Sequence, residues 1–384
     1  MKILSFSYCF PNPANKNWGI FVFQRIAALS RLEDLKMCSP VPWFPFIGQD
    51  IKNENPENKL WNGLEVHRPK FFYIPGVFKN SDAWFYAKGL KKWVSELCRQ
   101  WRPDLLDAHF VWPDGVGVSL IARELGIPYT ITLRGKLYEC IKIESQKRQC
   151  SHALKNAAAV ISVSGLLAQE AIKLGAAEDQ VHIIPNGVDK SIFFIKDKQA
   201  CRQALGLPLD KKILVTVAHL GHRKGHHEVI RALAALPEDT RLVLVGGSAQ
   251  GGTRDELKTL AASVGVEDRL IFTGPQPYDR VSQYFSAADA SVLASYREGC
   301  PNAVLESLAC GTPVVASDVG AVPDILPVPD AGRIVPSRQV ESLKNALSEV
   351  LNRDWCPETV LAKSRVRSWD EVAEDVQKVF ENIL

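Results

Sequence analysis

The chain has 384 residues, which is long for one ordinary core and implies about two domains of roughly 150–200 residues each. Its 46 basic and 43 acidic residues leave a formal charge of +3, which excludes a strongly basic nucleic-acid binder. Nine cysteines, with no Cys-x-x-Cys pair, read as reduced thiols of a cytoplasmic protein and offer zinc no ligand set. No run approaches the ~18 apolar residues of a membrane span, and the opening MKILSFSYCF reads as a buried first strand rather than a leader.

Strand-like and helix-like apolar runs alternate throughout, the pattern of parallel sheets covered by helices on both faces. Ile3 to Ser7 predicts the first strand. The loop PNPANKNWGIF then enters a helix from about Val22 to Arg31. Gly19 at that junction either lets a ligand approach the backbone or serves as a plain turn residue. From Phe44 to Trp101 the chain is aromatic and basic. A helix predicted over Trp84 to Trp101 places Lys88, Lys91 and Lys92 beside Trp84, Phe85 and Trp93. Such a helix is a core helix with a solvated basic face, or a surface for an anionic membrane.

Leu105 to Ala108, a helix over Gly115 to Leu125, and Tyr129 to Leu133 predict a βαβ unit. His109 and Arg134 then stand at the C-terminal ends of two strands, the edge where open α/β sheets bind ligands. Both residue types are also common as structural groups. A strand from Ala159 to Val163, a helix capped by Ser164 and a strand from Val181 to Ile184 end in Pro185-Asn186-Gly187, with a domain boundary near Val188.

Lys212 to His219 opens the second half as a strand, followed by a loop rich in Arg, Lys and His that enters a helix at about His226. Arg223 and Lys224 in that loop suit a diphosphate, since charge-assisted hydrogen bonds stabilise negative charge on a leaving group. Further βα units lead to SYREGCPNAVLESLACGTPVVASDVG, Ser295 to Gly320. Here Cys300, Pro301 and Asn302 predict a helix start and Gly311 its stop, about ten residues on. Glu298 precedes the helix; Glu306 lies one turn past Asn302 on the same face. Free N–H groups at the helix start attract phosphate, and a carboxylate on either side could hold the hydroxyls of a nucleotide sugar.

The string EGCPNAVLESLACGTPVVAS resembles the retaining glycosyltransferases of family 4, which carry a Glu-x(7)-Glu motif on the GT-B fold. The resemblance implies two Rossmann-like domains facing across a cleft: residues 1–187 on the acceptor side, 188–365 holding the donor, and 366–384 forming a helix that packs back on the first domain. It implies transfer of a sugar, with retention, from a nucleotide diphosphate donor to a glycan or lipid-linked acceptor, in a pathway of cell-surface polysaccharide. The site it implies is Glu306 on the ribose, Glu298 with Gly299, Cys300, Pro301 and Asn302 on the sugar and distal phosphate, and Lys224 with Arg223 on the departing diphosphate. His109 would act as a catalytic residue, orienting sugar or acceptor or relaying a proton, Gly19 would face the donor's phosphates, and Arg134 would stand on the acceptor side. Two positions depart from the pattern. His219 stands where the family has Arg, and Gly320-Ala321 where it has Gly-Gly. No Asp-x-Asp occurs, so neither metal nor cofactor is expected. An epimerase on the same fold and a catalytically silent glycan binder are the alternatives, and a peripheral contact with anionic membrane would bring a lipid-linked acceptor within reach.

Overall fold

Short runs rich in Ile, Leu and Val become strands buried on both faces, as parallel sheets require. The computed structural model describes residues 1–44, 60–248 and 253–384. In chain order the strands are β1 (Lys2–Phe6), β2 (Asp34–Cys38), β3 (Val41–Trp43), β4 (Leu60–Trp61), β5 (Leu64–His67), β6 (Lys70–Phe72), β7 (Leu105–His109), β8 (Tyr129–Leu133), β9 (Ala159–Ser162) and β10 (Val181–Ile183). There follow β11 (Lys212–Val217), β12 (Thr240–Val245), β13 (Leu270–Gly274), β14 (Ala290–Leu293), β15 (Val314–Ser317) and β16 (Gly332–Val335). The chain divides into one unit of Met1–Asn186 with Trp369–Leu384 and a second of Gly187–Ser368.

The first unit's main sheet runs β10-β9-β8-β7-β1-β2-β5-β4, parallel except for the edge pair β4 and β5. A small parallel pair, β3 and β6, lies apart from it. The last helix, Trp369–Glu381, returns to this unit. Its Trp369, Val372, Val376 and Phe380 share a core with Val22, Ile26 and Leu29 of the helix Ile20–Leu29. Burying a side chain of this kind contributes ~1.5–3 kcal/mol, so this short segment is firmly attached. The second unit is a six-stranded parallel sheet in the order β13-β12-β11-β14-β15-β16, with a hydrophobic cluster on each face.

Several boundaries differ from expectation for local reasons. The first helix begins at Ile20 because Gly19, at φ 70°, turns the chain into it two residues early. The helix of the glutamate stretch is Asn302–Ala309, shorter than the predicted ten residues. Pro301 stands before it with an extended ψ of 104° instead of within its first turn, while Gly311, at φ 72°, supplies the left-handed stop. Ser164 caps its helix as expected, its Oγ accepting the Leu167 N–H at 3.3 Å.

Candidate functional site

In the second unit β11 and β14 are neighbours in the sheet, so the loops leaving their C-terminal ends lie side by side. The first carries His219, Arg223 and Lys224; the second carries Glu298. Gly225 lets them meet. It adopts φ 67°, and a Cβ there would fall 2.0 Å from the Ala294 carbonyl oxygen, so no other residue fits without displacing backbone. With the loops this close, Lys224 Nζ reaches Glu298 Oε1 at 2.6 Å, both side chains being largely buried. The predicted lysine and the predicted first glutamate are thus one ion pair. Arg223 and His219 are exposed at the same edge. Their backbones are engaged: Arg223 C=O accepts the Tyr296 N–H at 2.9 Å, and His219 C=O lies 3.1 Å from Nε2 of His226. Burial pushes the His226 pKa down to about 4, so this ring is neutral and donates to that carbonyl.

The glutamate loop is braced from its other side by Gly320. At φ 56° its missing Cβ would sit 2.4 Å from Gly299 O, and the Ala321 N–H donates to that same carbonyl at 2.8 Å. This explains the Gly320-Ala321 departure: the first position needs glycine, whereas Ala321 fits within the buried core. Beyond the loop, Pro301 is buried, and Gly299, Cys300 and Asn302 are half-buried around the helix start. Glu306 is buried one turn further on. Tyr278, on the helix Tyr278–Ala287, donates its hydroxyl to Glu306 Oε1 at 3.3 Å. Burial lifts the Glu306 pKa to about 7, against the partial opposition of that hydrogen bond. A carboxyl poised there can take hydrogen bonds from vicinal hydroxyls in its charged form. A cavity of 460 Å³ opens at the opposite edge of this sheet, near Lys212 and Asp289, and holds none of these residues.

In the first unit His109 ends β7 and Arg134 follows β8, as the βαβ reading requires. The imidazole, however, has no exposed surface. Its Nε2 lies 3.1 Å from Asp107 Oδ2, and its Nδ1 faces Arg134 Nη2 at 3.5 Å, an arrangement that assigns the proton to Nε2. Burial outweighs Asp107 and moves the His109 pKa down to about 4. Asp107 is buried too, which alone would raise its pKa, yet His109, Arg25 and the Thr130 hydroxyl hold it low and ionised. Arg134 donates to Asn186 Oδ1 at 3.0 Å and stacks over Phe21 at 4.7 Å. His109 is therefore a buried neutral ring that braces Arg134. Gly19 is buried, and a Cβ on it would meet Cys9 O at 2.3 Å, so its own chain accounts for the glycine.

The basic helix spans Asp82–Gln100 and buries Ala83, Tyr86, Leu90 and Val94, which makes it a core helix. On its outer face Lys88 lies 4.7 Å from the Trp84 ring and Lys91 pairs with Glu124 at 2.6 Å. Tyr278, Tyr296, His226 and Asp107 were not anticipated from the sequence. Only Asp107 left a signal, since two positions before His109 on one strand puts both on the same face. Among the described residues no three His, Cys, Asp or Glu side chains gather as a metal site.

Comparison with known proteins fits this geometry. Residues 197–375 match the model of the group 1 glycosyl transferases, and residues 47–191 that of glycosyltransferase family 4. Between them the two models account for most of the chain, which belongs to these glycosyltransferases. A protein of Bacillus subtilis assigned to teichuronic acid biosynthesis as a glycosyltransferase is 28% identical over 398 residues, covering 99% of this chain and 95% of that one. Sucrose-phosphate synthase from Thermosynechococcus elongatus superposes with a TM-score of 0.80 at 21% identity, over 100% of this chain and 99% of that one. Anabaena HepE in complex with UDP gives 0.78 at 20% identity, with both chains fully covered. The fold is that of the GT-B glycosyltransferases, and the epimerase and silent-binder alternatives are not favoured.

Proposed function

We propose that the protein transfers a sugar from a nucleotide diphosphate donor to a glycan or lipid-linked acceptor of a cell-surface polysaccharide, with retention and without a metal. The observation that carries this is the second unit's arrangement: the Lys224–Glu298 pair at the edge of the sheet, with the helix Asn302–Ala309 and buried Glu306 directly after it. Glu306, once ionised, accepts hydrogen bonds from the ribose hydroxyls. The backbone at the helix start, with Glu298, holds the sugar and distal phosphate. Lys224, with exposed Arg223 and His219 beside it, neutralises the departing diphosphate. That lysine supplies the positive charge a divalent ion provides elsewhere, which is the support for metal independence, together with the lack of any Asp-x-Asp. In the first unit Arg134, braced by His109 and Asn186, offers its guanidinium to an anionic group of the acceptor.

The surface-polysaccharide pathway is supported by the Bacillus subtilis relative, and the nucleotide donor by HepE, solved with UDP and with UDP-glucose. Placement in the cytoplasm is supported by the nine cysteines, which lack a Cys-x-x-Cys pair and suit reduced thiols. A peripheral membrane contact is supported by the outer face of the helix Asp82–Gln100. There Trp84, Lys88, Lys91 and Arg123 line a cavity of 210 Å³, close in sequence to the exposed Val77 and Phe78. A thermal-shift screen of UDP-, GDP- and ADP-sugars identifies the donor. With it in hand, Lys224→Ala and Glu306→Ala should each lower turnover at least about tenfold. Wild-type rates in both variants, or a product of inverted anomeric configuration, would remove the mechanism.

A further inference from the structure

We propose that Tyr296 is the positioning residue of the donor's phosphate loop, fastening the basic loop after β11 to the glutamate loop after β14 and so setting where Lys224 presents its charge. This rests on the donor reading above. Tyr296 sits two residues before Glu298, and its two ends work separately. Its backbone N–H donates to Arg223 C=O at 2.9 Å, which ties the loops main chain to main chain, one residue from Lys224. Its hydroxyl lies between His227 and Glu228, in the first turn of the helix His226–Leu233 that the basic loop enters. The loop is therefore held at Arg223 and again just past its end, with Lys224 and Gly225 between.

The ring is enclosed as well. His222 stacks on His227 with centroids 4.4 Å apart, and both stand edge-on to Tyr296, at 5.5 and 5.7 Å. On the remaining side the Arg338 guanidinium lies 4.3 Å from the ring centroid. Arg338 holds φ 65°, a backbone conformation a non-glycine residue adopts only where its surroundings favour it. Next to it, Ser337 donates its hydroxyl to Ser295 C=O at 3.4 Å. Loops after β11, β14 and β16 thus converge on one side chain. The Lys224–Glu298 ion pair joins the two loops at one point. A main-chain bond and a hydroxyl satisfying a buried carboxylate add to it, because removing the hydroxyl leaves Glu228 Oε1 without its donor while His227 Nε2 lies 3.0 Å from the other oxygen.

The test is calorimetric binding of UDP, GDP and ADP, each alone, to the full chain and to Tyr296→Phe. The nucleotide that binds the wild type should bind Tyr296→Phe about tenfold more weakly, with the apparent Tm lowered by a few degrees because Glu228 Oε1 loses its donor. In a Lys224→Ala background the same change should cost little further affinity, since both substitutions act through one cation. Glu228→Met, which removes the acceptor of the Tyr296 hydroxyl and keeps the approximate length, should weaken the nucleotide in the same direction and serves if Tyr296→Phe fails to fold. Equal affinity in Tyr296→Phe and wild type, or full additivity with Lys224→Ala, overturns the inference and leaves the donor reading standing. Failure of all three nucleotides to bind the wild type overturns the donor reading itself.

Discussion

Replacing Glu306 with Gln should stabilise the protein at neutral and alkaline pH while impairing it as an enzyme. The carboxyl is buried with one hydrogen bond from Tyr278, and its pKa stands at about 7 in the folded protein against 4.5 as its ordinary value. A group whose folded pKa is raised in this way penalises folding when it ionises. Below the ordinary value both states are protonated and nothing is lost; between there and about 7 the unfolded chain sheds its proton first, and above 7 the full penalty applies. Two and a half units, at 1.36 kcal/mol each, amount to about 3 kcal/mol. Gln has nearly the same shape and no charge, so it escapes this cost. Denaturant unfolding at about pH 4 and pH 8 should show the two proteins alike at the lower pH. At the higher pH the variant should lead by up to about 3 kcal/mol, or roughly 10 °C in apparent Tm. The activity should move the opposite way, with donor affinity falling at pH 8, where the wild-type carboxylate is charged. A stability difference that does not change with pH would refute the reasoning, because it would mean that Glu306 is solvated well enough to ionise normally.

Gly225→Ala should be destabilising by roughly 2 kcal/mol or more, since both its φ of 67° and the Ala294 carbonyl at 2.0 Å oppose a Cβ. It should also weaken nucleotide binding by separating the two loops. Thermal unfolding and calorimetry read the two effects, and an unchanged Tm would show that the loops yield freely. Flotation with anionic vesicles should carry the protein upward at low salt, and Trp84→Ala combined with Lys88→Ala should abolish this. Absence of wild-type flotation would confine the helix Asp82–Gln100 to its packing role.

Much of this molecule was legible along the chain. Alternating βα runs, the turn at Asn186-Gly187, and the Glu298–Glu306 stretch are encoded within short windows. Local sterics and hydrophobic periodicity act over a few residues, so such features need no knowledge of distant neighbours. Glycine illustrates where that legibility stops. Gly311 reads as a helix stop from its position, whereas the demand for glycine at Gly225 comes from the Ala294 carbonyl, brought near by strand pairing. The pairing of Lys224 with Glu298 likewise depends on β11 and β14 being neighbours, an order the sequence does not spell out.

What the sequence by itself determined is the chemistry available: which strand ends carry a histidine, an arginine, a basic loop and two glutamates. Tertiary structure alone decided their states. Burial and a tyrosine 28 positions away set the proton affinity of Glu306, and Asp107 and Arg134 enclose His109 so that it braces a neighbour rather than facing solvent. The physical reason is that proton affinity and orientation follow from solvation and from charges within a few ångströms. Both are fixed only when residues remote in the chain pack together.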